Sequence, residues 1–209
     1  SVDANPNDKF SIGANINLAY SDRELVSRQG YTQQLFRMPS YAAAKDAEGN
    51  TIQSPMIGIS SNVNPYAFLE SNSKYNVEQF NILSNFYLGY KPAKWINFKT
   101  TFSPSAVFQR TGEYLDRFAS RSISVARMWN DNRLSYIWDN QMNINKEIGR
   151  HSISYNFIQS SQYDRLVSSY VFGRDVPFKS LWYNVQSAPQ RDASSGFSKS
   201  TLLSFTNRF

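Results

Sequence analysis

Residues 10–20 alternate. Phe10, Ile12, Ala14, Ile16, Leu18 and Tyr20 occupy every second position, with Ser11, Gly13, Asn15, Asn17 and Ala19 between them. Successive side chains of a strand point to opposite faces, so this spacing predicts a strand with one apolar and one mostly polar face. Its length of about 11 residues exceeds the ~5–6 usual in globular proteins and suits a tilted strand that crosses a bilayer.

The pattern recurs along the chain. In 80–90, Phe80, Ile82, Phe86, Leu88 and Tyr90 oppose Asn81, Asn85 and Gly89, with Leu83 and Tyr87 as exceptions. In 96–108, Ile96, Phe98, Phe102, Ala106 and Phe108 oppose Asn97, Lys99, Thr101, Ser103 and Ser105. In 134–144, Leu134, Tyr136, Trp138, Met142 and Ile144 oppose Ser135, Asp139, Gln141 and Asn143. In 151–161, Ile153, Tyr155 and Phe157 oppose Ser152, Ser154, Asn156 and Ser160; in 201–209, Leu203, Phe205 and Phe209 oppose Ser204, Thr206 and Arg208.

The links between these six runs alternate in length. Lys91–Lys94 and the stretch around Glu147–Arg150 are short; 21–79, 109–133 and 162–200 are long. Structureless loops beyond ~12–15 residues are uncommon in compact domains unless they have a task. Outer-membrane barrels supply one, because they join strands by short periplasmic turns and long extracellular loops. The expected fold class is therefore all-β, an antiparallel transmembrane β-barrel segment spanning 1–209. Residues 4–8 read as the end of a further periplasmic turn. Strand-end aromatics (Phe10, Tyr20, Tyr90, Trp95, Phe108, Tyr136) suit interfacial girdles. Pro104 cannot donate to a ladder, so it reads as a bulge or a point where pairing loosens. Small barrels start at about 8 strands and an open edge cannot face lipid, so this run is expected to pair with strands outside it.

Composition sharpens this. Aromatics make up 15% of the chain, yet mean hydropathy is only −0.51, as expected where apolar strand formers alternate with Asn and Ser. No run of ~18 apolar residues predicts a transmembrane helix. The first residues, Ser1–Pro6, show neither a basic nor an apolar leader region. There is no cysteine, which excludes disulfides and Cys-based metal or redox chemistry. The net charge of +6 is not gathered into a Lys/Arg block, so nucleic acid is not an expected partner.

Several segments resemble one family. Asn64-Pro65-Tyr66-Ala67-Phe68-Leu69-Glu70, the strand from Asn81 to Tyr90, and Ile96-Asn97-Phe98-Lys99 resemble the middle barrel of SusC/RagA-type TonB-dependent transporters. Trp138 to Lys146 with Gly149 to Ile153 resembles the hairpin that follows, and Thr201 to Phe209 the next inward strand. The order and spacing carry the likeness more than any single motif. It implies a bacterial outer-membrane importer of glycans or peptides with an N-terminal plug and about 22 strands. It also implies a SusD-like surface lipoprotein as partner, outer-membrane lipid around the wall, and a TonB complex acting through a plug region that these residues do not include. No cofactor is implied.

Candidate chemistry is sparse. The single histidine, His151, lies beside a short turn with no nucleophile motif, and no His, Cys or carboxylate cluster suggests a metal. The acidic Asp46-Ala47-Glu48-Gly49 reads as a turn. The long links are richer. Between 110 and 133 lie Arg110, Arg117, Arg121, Arg127 and Arg133, with Tyr114, Phe118 and Trp129; between 163 and 185 lie Tyr163, Tyr170, Phe172, Trp182 and Tyr183. Arg and aromatics are frequent binding anchors, and Tyr114, Arg117, Trp129, Trp182 and Tyr183 are the candidate substrate contacts. Self-packing of the loops and docking of a partner are the competing readings. Lys99, Asp139 and Arg208 fall on polar strand faces and are expected to line the lumen, by default touching water. Two rival functions stand beside transport: a soluble all-β glycan-binding module, whose apolar faces would meet in a core, and a barrel-embedded hydrolase, which the lone His151 disfavours.

Overall fold

The computed structural model describes residues 1–26, 28–56, 58–59, 62–120, 123–177 and 184–209, of Arg28 and Gln29 the backbone only. The elements run β1 (Val2–Asn7), β2 (Phe10–Leu25), α1 (Arg28–Arg37), α2 (Tyr66–Glu70), β3 (Lys74–Ala93), β4 (Ile96–Leu115), α3 (Arg117–Ser120), β5 (Val125–Ile148), β6 (His151–Arg174) and β7 (Gln190–Arg208). The strands form one sheet in sequence order, every neighbour antiparallel. This is the all-β barrel segment read from the alternation.

Three details differ from the sequence reading. Residues 4–7 belong to a seventh strand, β1, and the turn is Asp8-Lys9, tied by Asn7 Oδ1 accepting from the amides of Lys9 (2.9 Å) and Phe10 (3.0 Å). Pro6 is tolerated there because β1 pairs on one side only, so a missing amide need break no ladder. The strands are also longer than the alternation. The upper connections shrink to 26–73, 116–124 and 175–189, and the first of them contains α1 and α2. Finally, of the two readings of Pro104 the bulge is absent and the loosened pairing is present. It sits opposite Tyr136 in an unbroken β4–β5 ladder, and the β3–β4 ladder lapses between Leu83↔Ser105 and Phe86↔Phe102 without changing register. The lower turns are short as expected, and Gly149, with φ of 61°, takes the left-handed position in the turn between β5 and β6.

Register decides which side chains share a face. Following Phe10↔Tyr90, Tyr90↔Phe98, Phe98↔Met142 and Met142↔Phe157 across the sheet puts all the apolar sets named above on one side. That side is bare: Ile16 is 56% exposed, Leu18 62%, Leu203 59% and Phe205 60%. Several polar groups on it satisfy one another. Trp138 Nε1 donates to Thr100 Oγ1 (2.9 Å), Asn140 Nδ2 to Gln159 Oε1 (2.6 Å), and Tyr155 Oη to Asn207 Oδ1 (2.8 Å).

The apolar band is slanted across the sheet. At its upper border, Asp22, Glu78 and Arg110 are paired in one row that reaches Ser195 in β7. In β6 and β7 the first charges on that face are Arg165 and Lys199, four positions lower. The lower border descends by the same amount, from the row of Phe10 and Phe157 to Ile153, four positions on in β6. From Phe10 to Tyr20 the band measures ~33 Å along the strand, or ~25 Å high once tilted.

Apart from Gly89 near the lower turns, burial among the described residues is at the upper end, where two small cores form. Tyr114, Ala126, Val176, Val185 and Ala188 pack together beneath the connection 175–189. Val63, Ala67, Phe68 and Ala119 pack where the connection 26–73 meets α3, with Tyr31, Leu115 and Phe118 against them. The Asn64 side chain holds the connection 26–73 together, donating to the carbonyls of Ala44 (2.7 Å) and Ile52 (2.8 Å).

Candidate functional site

The polar face begins near the lower turns. The register puts Lys99 beside Gly89 and Gln141, Asp139 beside Thr101 and Ser160, and Arg208 opposite Asn156, so all three are on one side. Lys99 Nζ lies 4.9 Å from the centre of the Tyr87 ring, and the Tyr87 hydroxyl donates to Asp3 Oδ1 (2.7 Å). Gly13 makes this possible: a Cβ there would stand 2.1 Å from Tyr87 Cε1, so any larger residue would block the ring from reaching β1. Between these charges the face is neutral and hydrogen-bonded, with Asn85 donating to Ser103 (2.8 Å), Ser105 against Ser135 (2.7 Å) and Asn156 against Asn143.

Higher on this face, above the level of the apolar band, rings and arginines gather. Trp129 of β5 faces Tyr170 of β6 with ring centres 5.2 Å apart, and Tyr170 stacks on Phe172 at 6.5 Å. Two guanidinium groups bracket Phe172, Arg127 at 5.5 Å and Arg174 at 5.3 Å. Arg127 is held by Glu113, whose side chain is only 7% exposed, through a 2.6 Å ion pair. The strands set this order: Arg127 and Trp129, like Tyr170 and Phe172, are two residues apart and therefore share a side. The rings are half-buried, offering flat apolar surface beside a fixed and an exposed cation.

The sequence candidates separate here. Trp129 lies at the centre of the ring cluster, in a strand rather than a loop. Arg117 is at the start of α3, exposed and paired to Asp175 (2.6 Å). Tyr114 is a correction: at 4% exposure it is the core of the upper connection on the opposite side of the sheet, too buried to meet a ligand. Its burial follows from even spacing with Phe108, which puts it on the apolar side just where 175–189 folds over. Trp182, Tyr183 and Arg121 lie outside the described residues. Glu113 and Arg174 escaped the sequence reading; the two-residue spacing of Phe172 and Arg174 was the available signal. His151 stands exposed at the first position of β6.

No family model matches this chain, and no curated protein does. Solved structures do. The structure of the RagAB peptide transporter matches 98% of this chain at a TM-score of 0.71 and 13% identity. The fold is shared with that transporter. The RagAB peptide importer matches in its "open-open" state (TM-score 0.69, 16% identity) and in its "closed-closed" state (TM-score 0.62, 14% identity), again over 98% of this chain. The chain spans 24% of the length of each of these relatives. The likeness to RagA-type transporters read from the residues is thus present in the fold, and these structural neighbours are transporters rather than enzymes.

Proposed function

We propose that this chain is part of the wall of a bacterial outer-membrane importer of glycans or peptides, coupled to TonB and working with a SusD-like surface lipoprotein. One observation carries the reading: a single continuous register leaves one face of the sheet apolar and bare and the other polar. A bilayer covers such a face and water in a lumen wets the other. Among the described residues no second sheet packs on the apolar side, which a soluble binding module would require.

In this reading Lys99, Asp139 and Arg208 line the lumen, and the Trp129–Tyr170–Phe172 cluster with Arg127 and Arg174 contacts the substrate near the outer mouth. Arg117 stands at the rim, and Trp182 and Tyr183 remain candidate substrate contacts on the sequence alone. The chain carries out no chemistry of its own. The RagAB relatives, named as peptide transporters, lend support to peptide as the cargo.

The absence of native cysteine in these residues makes a direct test simple. Full-length protein carrying Ser204→Cys or Phe205→Cys is assembled in the outer membrane and treated with a charged maleimide. The expected result is labelling at 204 and protection at 205, reversed by a lipid-soluble maleimide. Equal labelling of both by the charged reagent sinks the membrane wall. Uptake of labelled oligopeptides and oligosaccharides by the same cells then distinguishes the cargo.

A further inference from the structure

On the apolar face several polar groups find partners in their neighbours, and the higher ion pair Glu78–Arg110 is also internal. Arg165 and Lys199 are arranged differently. They are directly opposite in the β6–β7 ladder, so two positive side chains stand side by side. Like charges at directly opposed positions repel. Neither has a carboxylate partner among the described residues. Each instead leans over a ring on the other's strand, Arg165 over Phe197 (5.7 Å) and Lys199 over Tyr163 (5.5 Å), and both are exposed. Acidic residues of these strands lie elsewhere: Asp164 is on the opposite side, bonded to Arg133, and Asp192 shares that side.

Their position narrows what could compensate them. Their row continues through Leu134, Ala106, Ile82 and Leu18, all apolar, and they mark the upper border of the slanted band. That border is where lipid headgroups meet the protein. Directly opposed positions are roughly 5 Å apart at Cβ, so both long side chains can swing onto one anion.

We propose that Arg165 and Lys199 form a clamp for a phosphate-bearing lipid headgroup on the outward face, an inference that rests on this face being the membrane face. The guanidinium offers paired donors to phosphate oxygens and the ammonium a compact charge, while Phe197 and Tyr163 flank the cations when no headgroup is bound. The binding is local, unlike diffuse attraction to an anionic surface.

The test uses full-length protein in phosphatidylcholine nanodiscs doped with phosphatidic acid, with lipids retained by the protein counted by native mass spectrometry. Wild type is expected to retain phosphatidic acid several-fold over its share of the disc. R165Q/K199Q should fall to that share. R23Q/R133Q, which removes the same charge from the polar side, should keep the enrichment. Equal enrichment in wild type and R165Q/K199Q, or an equal loss in R23Q/R133Q, overturns the clamp. So does displacement of phosphatidic acid by inorganic phosphate at equal concentration, which would make it a free-anion site. Failure of wild type to enter nanodiscs at all is a separate result that strikes the membrane reading instead.

Discussion

Trp129 and Tyr170 face each other across β5 and β6, 5.2 Å between ring centres, at the level where the polar wall gives way to the upper connections. Paired rings of this kind are worth about 0.5–1.5 kcal/mol beyond their burial. In full-length protein, W129A and Y170A are each expected to weaken ligand binding while leaving assembly intact. The double variant should lose less than the sum, because each single change already breaks the shared contact. Titration of a bound peptide or glycan checks this; strict additivity would mean the rings act independently.

The pair Glu113–Arg127 is asymmetric, the carboxylate being far more buried than the guanidinium. R127A takes the paired cation away from a largely buried carboxylate, whereas E113Q/R127Q leaves two neutral groups that can still bond. The expected loss is about 1–3 kcal/mol for R127A and less for the double variant, read from unfolding midpoints in detergent.

Gly173 is where 175–189 comes down onto the sheet. A Cβ there would stand 2.7 Å from Ala188 Cβ and 2.9 Å from Val185 Cγ1. G173A should lift this connection at a cost of about 1–3 kcal/mol. Limited proteolysis would show faster cleavage between 175 and 189, with the strands below still protected.

Glu70 anchors the loop of α2 by accepting from Thr51 and pairing with Lys45 (3.2 Å). The Thr51 hydrogen bond first, then Lys45, holds its carboxyl below the ordinary glutamate range. A carboxyl depressed in the folded state stabilises at pH values above its unfolded value and ceases to do so as pH falls through its folded value. Hydrogen-exchange protection at 45–52, taken relative to the intrinsic rate at each pH, should therefore be high at neutral pH and fall in acid. E70Q should remove this acid dependence, leaving the protection alike at both pH values.

The two sides of the strands should respond oppositely to charge. F205K puts an ammonium on the bare apolar side of β7 and is expected to cost about 2–4 kcal/mol of membrane stability, while S204K, one residue away, is tolerated. Heat-modifiable migration of the folded barrel in gels reports the difference.

The strand order, both of the shorter lower turns and the sharing of faces were legible because one apolar and one polar face impose period two. Above the apolar band that contrast ends. β5 and β6 continue through Val125–Trp129 and Tyr170–Arg174 with water, connections or rings on both sides, so no alternation marks them. For this reason Trp129 looked like a loop residue and Tyr114 like a ligand contact. The pairing of Glu113 with Arg127 joins separate strands, and nothing local in the sequence announces it. The seventh strand was hidden by Pro6, which reads as a turn unless its strand is paired on one side only.

The slant of the charge borders measures an angle. Four residues are ~13 Å along a strand, and the descent accrues between the centre of β2–β4 and that of β6–β7, roughly 17 Å sideways at ~4.8 Å per strand. A horizontal membrane surface crossing the sheet in this way requires strands inclined at roughly 38° to its normal, inside the ~35–45° range of outer-membrane barrels. In the proposed membrane wall, the positions of Asp22, Glu78, Arg110, Arg165 and Lys199 act as a waterline, from which the lean of the wall can be read by counting residues alone.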